Sequence, residues 1–381
     1  MGHVELPHEV VGSDLPDEAD TGQPLHEDGR FERDWPVFFD VCHTRWGNGQ
    51  ELIAVAAGSD GAETHKRRPV QAGAMDETGS SDVLARYEPL VDDVEAFRAA
   101  CRRPLPSAVR VNTLRTTVER ARRALNAEGI DHERVAWHPH LLKLDGQSGA
   151  NWPYVQGWLH GQEEVSALPA RVLDPDPGQR VWDACAAPGS KTTQLAALMD
   201  DRGLVVATDD NLGRLSALRS NTERLGATSV AVTNEDARVH SLSPFGEEPY
   251  DRALVDVPCS CEGTVRKNPD TLAEWTLEHV LGIAGAQKGI LRRAVQATRP
   301  GGTVVYSTCT FAPEENEGVL DYVLDEEPCR LVEFDLPLAS SPGVTGWEGE
   351  EFDPSVARAR RIYPHQNDTG GFFCAKLEVT G

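Results

Sequence analysis

The chain has 381 residues, more than one average domain holds, which supports two domains plus an extension. No apolar run approaches the ~20 residues of a membrane helix, and no basic-then-apolar leader opens the sequence, so a cytoplasmic protein with no membrane partner is expected. The formal net charge of -24, with only 6 lysines among 37 basic residues, suggests a halophilic source, where the screening length falls to about 3 Å at 1 M salt and a highly charged surface stays in solution.

Residues 1–80 are rich in Gly, Asp, Glu and His, and only 37–43 and 51–57 have the pattern of strands. Such a segment buries too little apolar surface to offset its ordering entropy and is expected to be poorly ordered. Met75 precedes the first convincing helix and is read as the natural start. A chain isolated from its own organism that retains residues 1–74 would overturn that expectation.

From Ser81 the pattern becomes regular. SDVLARYEPL and DDVEAFRAAC read as helices introduced by capping Ser and Asp residues. Strands are expected at 108–114 and 134–137, with an amphipathic helix at 117–129 closed by Gly129. Residues 81–168 thus form a small α+β module, and a helix at 162–173 leads into the main domain, 169–381. There, apolar runs at 180–186, 203–209, 229–236, 250–256 and 302–309 alternate with helical stretches, and 331–335 and 371–379 add two more strands. The alternation predicts an α/β fold with a mostly parallel seven-stranded sheet, an antiparallel edge, and ligands at the carboxyl ends of the strands.

Charge is unevenly distributed. Residues 1–80 carry 16 acids and 6 bases, and 169–381 carry 33 and 20, whereas 81–168 is nearly neutral with 12 and 11. Within it, Arg102, Arg103, Arg110, Arg115, Arg120, Arg122 and Arg123 face the single acid Glu119. Guanidinium forks pair with phosphate oxygens and stack on bases, so RNA contact is sought here; a solvated helix face is the competing reading.

The eight cysteines form no CxxC pair, which argues against a disulfide framework or a structural zinc site and leaves individual thiols as candidates for chemistry. Cys259 and Cys261 alone are short of ligands, and no metal is expected. The loop CAAPGSKT (185–192) leaves one strand and opens a helix, where small residues let a ligand approach backbone N–H groups. It is not a phosphate-binding P-loop, because Ser190 rather than Gly precedes Lys191, and a dinucleotide GxGxxG is absent.

CAAPGSKT resembles the first motif of the Sun/Nop family of RNA cytosine-5 methyltransferases. DVPCSCEGT (256–264), YSTCT (306–310) and GGFFCAKL (370–377) follow in that family's order, and RPLPSAVRVNTL (103–114) resembles its N-terminal module. The resemblance covers residues 81–381 and implies a Rossmann-like methyltransferase domain behind a small RNA-recognition module. It also implies that S-adenosylmethionine is held by Cys185, Ala186, Ala187, Pro188, Gly189, Ser190 and Lys191, with Asp209 and Arg214 at the ribose, Asp236 at the adenine and Asp256 nearby. Helix capping or strand-end solvation is the plainer reading of each acid, and Asp210 is the rival to Asp209.

Carbon 5 of cytosine is a poor nucleophile until another nucleophile adds at carbon 6, a task suited to a thiolate that can later leave. The resemblance assigns that attack to Cys309 and resolution of the adduct to Cys259. Asp256 would face ring nitrogen 3, and would donate to it if burial raised its pKa. Cys261 stands where relatives usually have glycine. Arg266 and Lys267 are expected at the pocket mouth, with Arg358, Arg360 and Arg361 adding to the surface. The implied partner is RNA whose target base leaves its stack, transfer RNA being favoured over ribosomal RNA, and the enzyme is expected to act as a monomer. A non-enzymatic RNA-binding or assembly factor is the rival from another class; it predicts that replacing Cys309 leaves cellular function intact.

Overall fold

Capping and proline positions set the first elements. In the computed structural model, which describes residues 82–146, 149 and 151–381, the Asp93 carboxylate accepts from Ala96 N at 2.9 Å and starts α1 (Val94–Cys101). The segment before it, Val83–Leu90, winds as a 3-10 helix instead of the expected α-helix, with Pro89, which has no N–H to give, in its last turn. The strands suggested at 37–43 and 51–57, and the start at Met75, lie outside the described residues.

β1 (Ser107–Val111), α2 (Val118–Ala127), β2 (His132–Arg134) and β3 (Leu141–Leu144) follow, then α3 (Trp152–Val155) and β4 (Leu159–Gly161). The strands form an antiparallel sheet in the order β2-β3-β1-β4. Val118, Ala121 and Leu125 of α2 lie on one helical face and pack on Val109, Val111, Leu142 and Leu144. The strand expected at 134–137 is corrected: residues 135–140 form the connection of the β2–β3 hairpin, and the apolar LLKL run that follows is the partner strand.

The helix expected over 162–173 is a 3-10 turn at Val165–Ala167 running into α4 (Leu168–Leu173), with Pro169 accommodated in the first turn, where its missing N–H costs nothing. Then come β5 (Arg180–Asp183), α5 (Ser190–Leu198), β6 (Leu204–Asp209), α6 (Leu212–Leu225), β7 (Val230–Asn234), β8 (Tyr250–Asp256), α7 (Leu277–Ala297), β9 (Thr298–Thr308) and α8 (Glu317–Glu326). The last part comprises β10 (Cys329–Leu331), β11 (Ser341–Pro342), the small hairpin β12 (Gly346–Trp347) and β13 (Glu350–Glu351), β14 (Arg360–Ile362), α9 (Pro364–Asn367) and β15 (Phe372–Val379).

The large sheet runs β11-β14-β15-β9-β8-β5-β6-β7, with β10 also on β15. β5 to β9 pair in parallel, while β15 is antiparallel to β9, β10 and β14, giving the expected antiparallel edge; the short β11 and β14 extend it beyond seven strands. Successive strand residues enter opposite cores: Trp182 packs with Val206, Tyr250 and Tyr306 on one face, and Val181 with Val205, Leu254 and Val305 under α4 on the other. Parallel order sends β5, β6, β8 and β9 to one edge, where their carboxyl ends converge. Val83, Leu84, Tyr87 and Phe97 pack beside that edge, on Phe311, Ala312 and Tyr363.

Candidate active site

The loop after β5 is built to bring backbone close to a ligand. Gly189 has φ +101°, and a Cβ there would lie 2.8 Å from Leu218 Cδ1, so a side chain meets both strain and contact. Asp209, buried at the end of β6, accepts from Ala187 N at 3.1 Å and Asn211 N at 3.0 Å, and burial raises its pKa. Arg214 bonds the Ala187 carbonyl oxygen and lies 3.4 Å from Asp209, so acid and guanidinium together hold both polar groups of the Ala187 residue. Asp210 is exposed. Asp236 lies two residues beyond β7, caps a 3-10 turn and pairs with Arg238 at 2.5 Å. Sequence reading passed over Asp183: Thr192 Oγ1 donates to its Oδ2 at 2.6 Å, burial pushes its pKa up to about 7, and its Oδ1 is buried with no hydrogen-bond partner among the described residues.

An open cleft of about 190 Å³ lies at the ends of β8 and β9, lined by Asp256, Lys191, Cys309, Glu163, Lys267 and Phe372 among others. Asp256, the last residue of β8, accepts from Ser307 Oγ at 2.7 Å and pairs with Lys191 Nζ at 2.7 Å. Burial penalises the Lys191 ammonium, but Asp256 outweighs it and the pKa rises. Cys309 follows β9 directly, and its Sγ lies 3.3 Å from Cys259 Sγ. Hydrogen bonding from Cys259 outweighs burial and lowers the Cys309 pKa, which favours the thiolate there and the thiol at Cys259. Cys309 lines the cleft while Cys259 is buried beneath it, so geometry distinguishes two cysteines that look alike in the sequence.

The loop carrying Cys259 is mounted on buried polar groups. Ser260 Oγ donates to Glu262 at 2.7 Å and also bonds Glu315; Tyr87 OH and Trp275 Nε1 donate to Glu262 at 2.6 and 2.5 Å. Burial pushes Glu315 up to about 8. Gly263 admits no side chain, since a Cβ would lie 2.4 Å from Gly371 O and 2.6 Å from Cys309 O. Gly263 N donates to Cys309 O at 2.9 Å and Gly371 N to Gly263 O at 2.8 Å, tying three distant motifs into one wall.

The sequence profile described as 16S rRNA methyltransferase RsmB/F matches residues 170–378, and one described as a RsmF/B-like ferredoxin-like domain matches 86–150. The tRNA (cytosine(49)-C(5))-methyltransferase of Pyrococcus abyssi is 36% identical over 299 residues, 77% of this chain and 94% of that protein. The chain belongs to the RsmB/F family of RNA methyltransferases. It is also 37% identical to ribosomal RNA small subunit methyltransferase F of a Shewanella species, covering 78% of this chain but only 61% of the relative. Among solved structures, a methyltransferase homolog from Pyrococcus horikoshii superposes with a TM-score of 0.68 at 32% identity, over 77% of this chain and 93% of that one. The fold is shared with NSun6 from the same organism, solved with SFG, at a TM-score of 0.67 and 24% identity, over 77% of this chain and 97% of that one.

Several RNA-contact expectations for this RsmB/F member are corrected. Arg110 is buried at 2% exposure, donating to Gln162 Oε1 at 2.7 Å and Thr193 Oγ1 at 2.9 Å, and burial lowers its pKa to about 9. Arg266, also buried, donates to the carbonyls of Arg103, Pro104 and Thr369 and pairs with Asp368 at 2.8 Å. Arg361 is buried against Glu317. With their donors consumed inside the protein, none of the three reaches a phosphate. Arg115 packs on Gly226 and bonds Glu223 O at 3.4 Å. Arg122 donates to His132 Nε2 at 3.2 Å. Arg102, Arg103 and Lys267 are exposed, although Arg103 also pairs with Asp368 at 3.3 Å.

Glu163 and Phe372 were not singled out as site residues in the sequence. Glu163 accepts from Gly370 N at 3.1 Å and Ser166 N at 2.9 Å, burial raises its pKa, and it comes from the linker between the modules. The GGFF motif pointed at Phe372 as a strand residue, but its place in the cleft wall depends on the antiparallel pairing of β15 with β9.

Proposed function

We propose that the protein is an S-adenosylmethionine-dependent RNA cytosine-5 methyltransferase acting on transfer RNA through a covalent adduct at Cys309. The observation that carries this reading is the cleft-facing Cys309, biased toward thiolate, beside the Asp256–Lys191 pair and above the Cys259 thiol.

In this reading the Cys309 thiolate adds to carbon 6 of a base taken out of its stack, and electron density moves toward ring nitrogen 3 and carbon 5. The Asp256 carboxylate, paired with the Lys191 ammonium, relays a proton from that ammonium to nitrogen 3 as charge develops there. The groups expected to hold S-adenosylmethionine are residues 185–191, Asp209, Arg214 and Asp236. The unpartnered Asp183 Oδ1 fits a cationic ligand, as does the close backbone approach at Gly189. When bound, it supplies an electrophilic methyl group for carbon 5. Water, or Cys259 once its own proton has gone to solvent, then removes the carbon 5 proton, nitrogen 3 returns its proton to the Lys191–Asp256 pair, the sulfur–carbon 6 bond breaks, and Cys309 regains its thiolate.

Transfer RNA is favoured because the chain spans 94% of the Pyrococcus tRNA enzyme but 61% of the Shewanella ribosomal RNA enzyme. The test is bisulfite sequencing of tRNA and small-subunit rRNA transcripts treated with the full chain and methyl donor, in dilute and in molar KCl. A single tRNA cytosine protected from conversion is expected. Methylation of rRNA alone overturns the substrate, and no protected cytosine in either overturns the reaction. Cys259→Ala should accumulate a protein–RNA adduct stable to denaturation, and Cys309→Ala none; the reverse exchanges the two roles.

A further inference from the structure

Cys261 occupies an unusual backbone position. Its φ is +65°, in the left-handed region where a Cβ is disfavoured by roughly 1 kcal/mol or more and glycine is free of strain. The side chain held at this cost is a third thiol: Cys261 Sγ lies 3.8 Å from Cys259 Sγ, and the sulfurs of Cys259, Cys261 and Cys309 all lie within 4.8 Å of one another. The C-x-C pair is short of ligands in the sequence. The ends of β8 and β9 bring in the missing one across 48 residues.

Zn–S bonds of about 2.3 Å in a tetrahedron set sulfurs roughly 3.8 Å apart, and the separations found here differ from that by no more than about 1 Å. Cys309 faces the cleft, so a water can complete the fourth position. Thiolates are soft ligands, and neither a carboxylate nor an imidazole belongs to the cluster, so the chemistry selects a thiophilic d10 cation over Mg²⁺ or Ca²⁺.

We propose that Cys259, Cys261 and Cys309 form a binding site for one thiophilic d10 cation, and that occupancy reversibly caps the nucleophile. Each thiol that ligates gives its proton to solvent, and no electrons are exchanged. The binding half stands on the sulfur geometry alone, whereas the inhibitory half rests on Cys309 being the nucleophile.

The experiment is anaerobic titration of the reduced full chain with Co²⁺, reading sulfur-to-cobalt charge-transfer absorption, followed by displacement with Zn²⁺. One equivalent should bind. Cys261→Gly, which relieves the left-handed strain and so should fold, should lose affinity by more than the roughly 100-fold that removal of an outer hydrogen-bond partner costs. Absence of the band, or a band unchanged in Cys261→Gly, overturns the site. Methyl transfer by the wild type should then be blocked by one equivalent of Zn²⁺ and restored by chelator, while Cys261→Gly, whatever its basal rate, should resist Zn²⁺. A band that depends on Cys261 and Cys309 with no effect of Zn²⁺ on methyl transfer overturns the capping half. A chain that binds the metal but methylates no RNA even without Zn²⁺ overturns the proposed function and leaves the site standing.

Discussion

The Lys191 ammonium holds the floor of the cleft through two contacts, Asp256 Oδ2 at 2.7 Å and Ser166 Oγ at 3.0 Å. Lys191→Met would leave Asp256 with only the Ser307 hydroxyl and remove positive charge from beside Cys309. The expected result is a kcat loss of about 10²–10³ with RNA affinity retained, measured by single-turnover methyl transfer and filter binding. The arginines separate by the same logic. Arg110→Met should lower unfolding free energy by about 2 kcal/mol, because Gln162 and Thr193 lose a charged donor in the interior. Its RNA affinity per folded molecule should not change. Lys267→Ala should leave stability unchanged and reduce the slope of log affinity against log salt by about 1, as loss of one phosphate contact requires. A count of basic letters cannot make this distinction. Arg110 and Arg266 look like neighbours of Arg102 and Lys267 in sequence, but strand alternation and loop closure turn them inward.

At the scale of elements, the loops that carry Cys259 and Cys309 rest on a group that titrates. Burial holds Glu315 neutral in the folded protein up to about pH 8, whereas in the unfolded chain it ionises in the ordinary carboxyl range. Between those values the native state binds the extra proton. Glu315 therefore contributes stability that is fully present below the unfolded pKa and lost as pH rises through about 8. The melting temperature should fall across that window, and Glu315→Gln should flatten the profile. Gly189→Ala, which places a Cβ at φ +101° against Leu218, should weaken binding of the methyl donor in calorimetry far more than RNA binding. The elements themselves were largely legible, since β5 to β9 are apolar runs bounded by turns. The β2–β3 hairpin was not, because RVAW has strand composition while the chain needs it to reverse direction. Asp183 was hidden because it reads as the end of an apolar strand; only the fold reveals a carboxylate oxygen with no hydrogen-bond partner among the described residues.

Across the whole molecule, the N-terminal sheet is bolted to the domain that carries the cleft. His160 Nε2 lies 2.9 Å from Ser190 Oγ in the CAAPGSKT loop, Arg224 donates to Tyr154 O at 2.7 Å and Leu159 O at 3.0 Å, and Asn112 Nδ2 donates to Leu225 O at 2.7 Å. A chain truncated to residues 169–381 would strip Val83, Tyr87 and Phe97 from Phe311, Ala312 and Tyr363 and expose that apolar surface, and is expected to aggregate on expression while 82–381 stays monodisperse in size-exclusion chromatography. The joint spans segments far apart in sequence, which is why composition located two modules without saying how they meet.

That joint makes the molecule a caliper. With His160 and Arg224 fixing one jaw against the other, the interval from the N-terminal sheet to the Cys309 sulfur is built in, not adjusted to each substrate. Under the proposed function, with RNA held on the N-terminal sheet, a cytosine would be selected by length along the RNA: inserting one base pair between the held region and the target should move methylation to the neighbouring position instead of abolishing it.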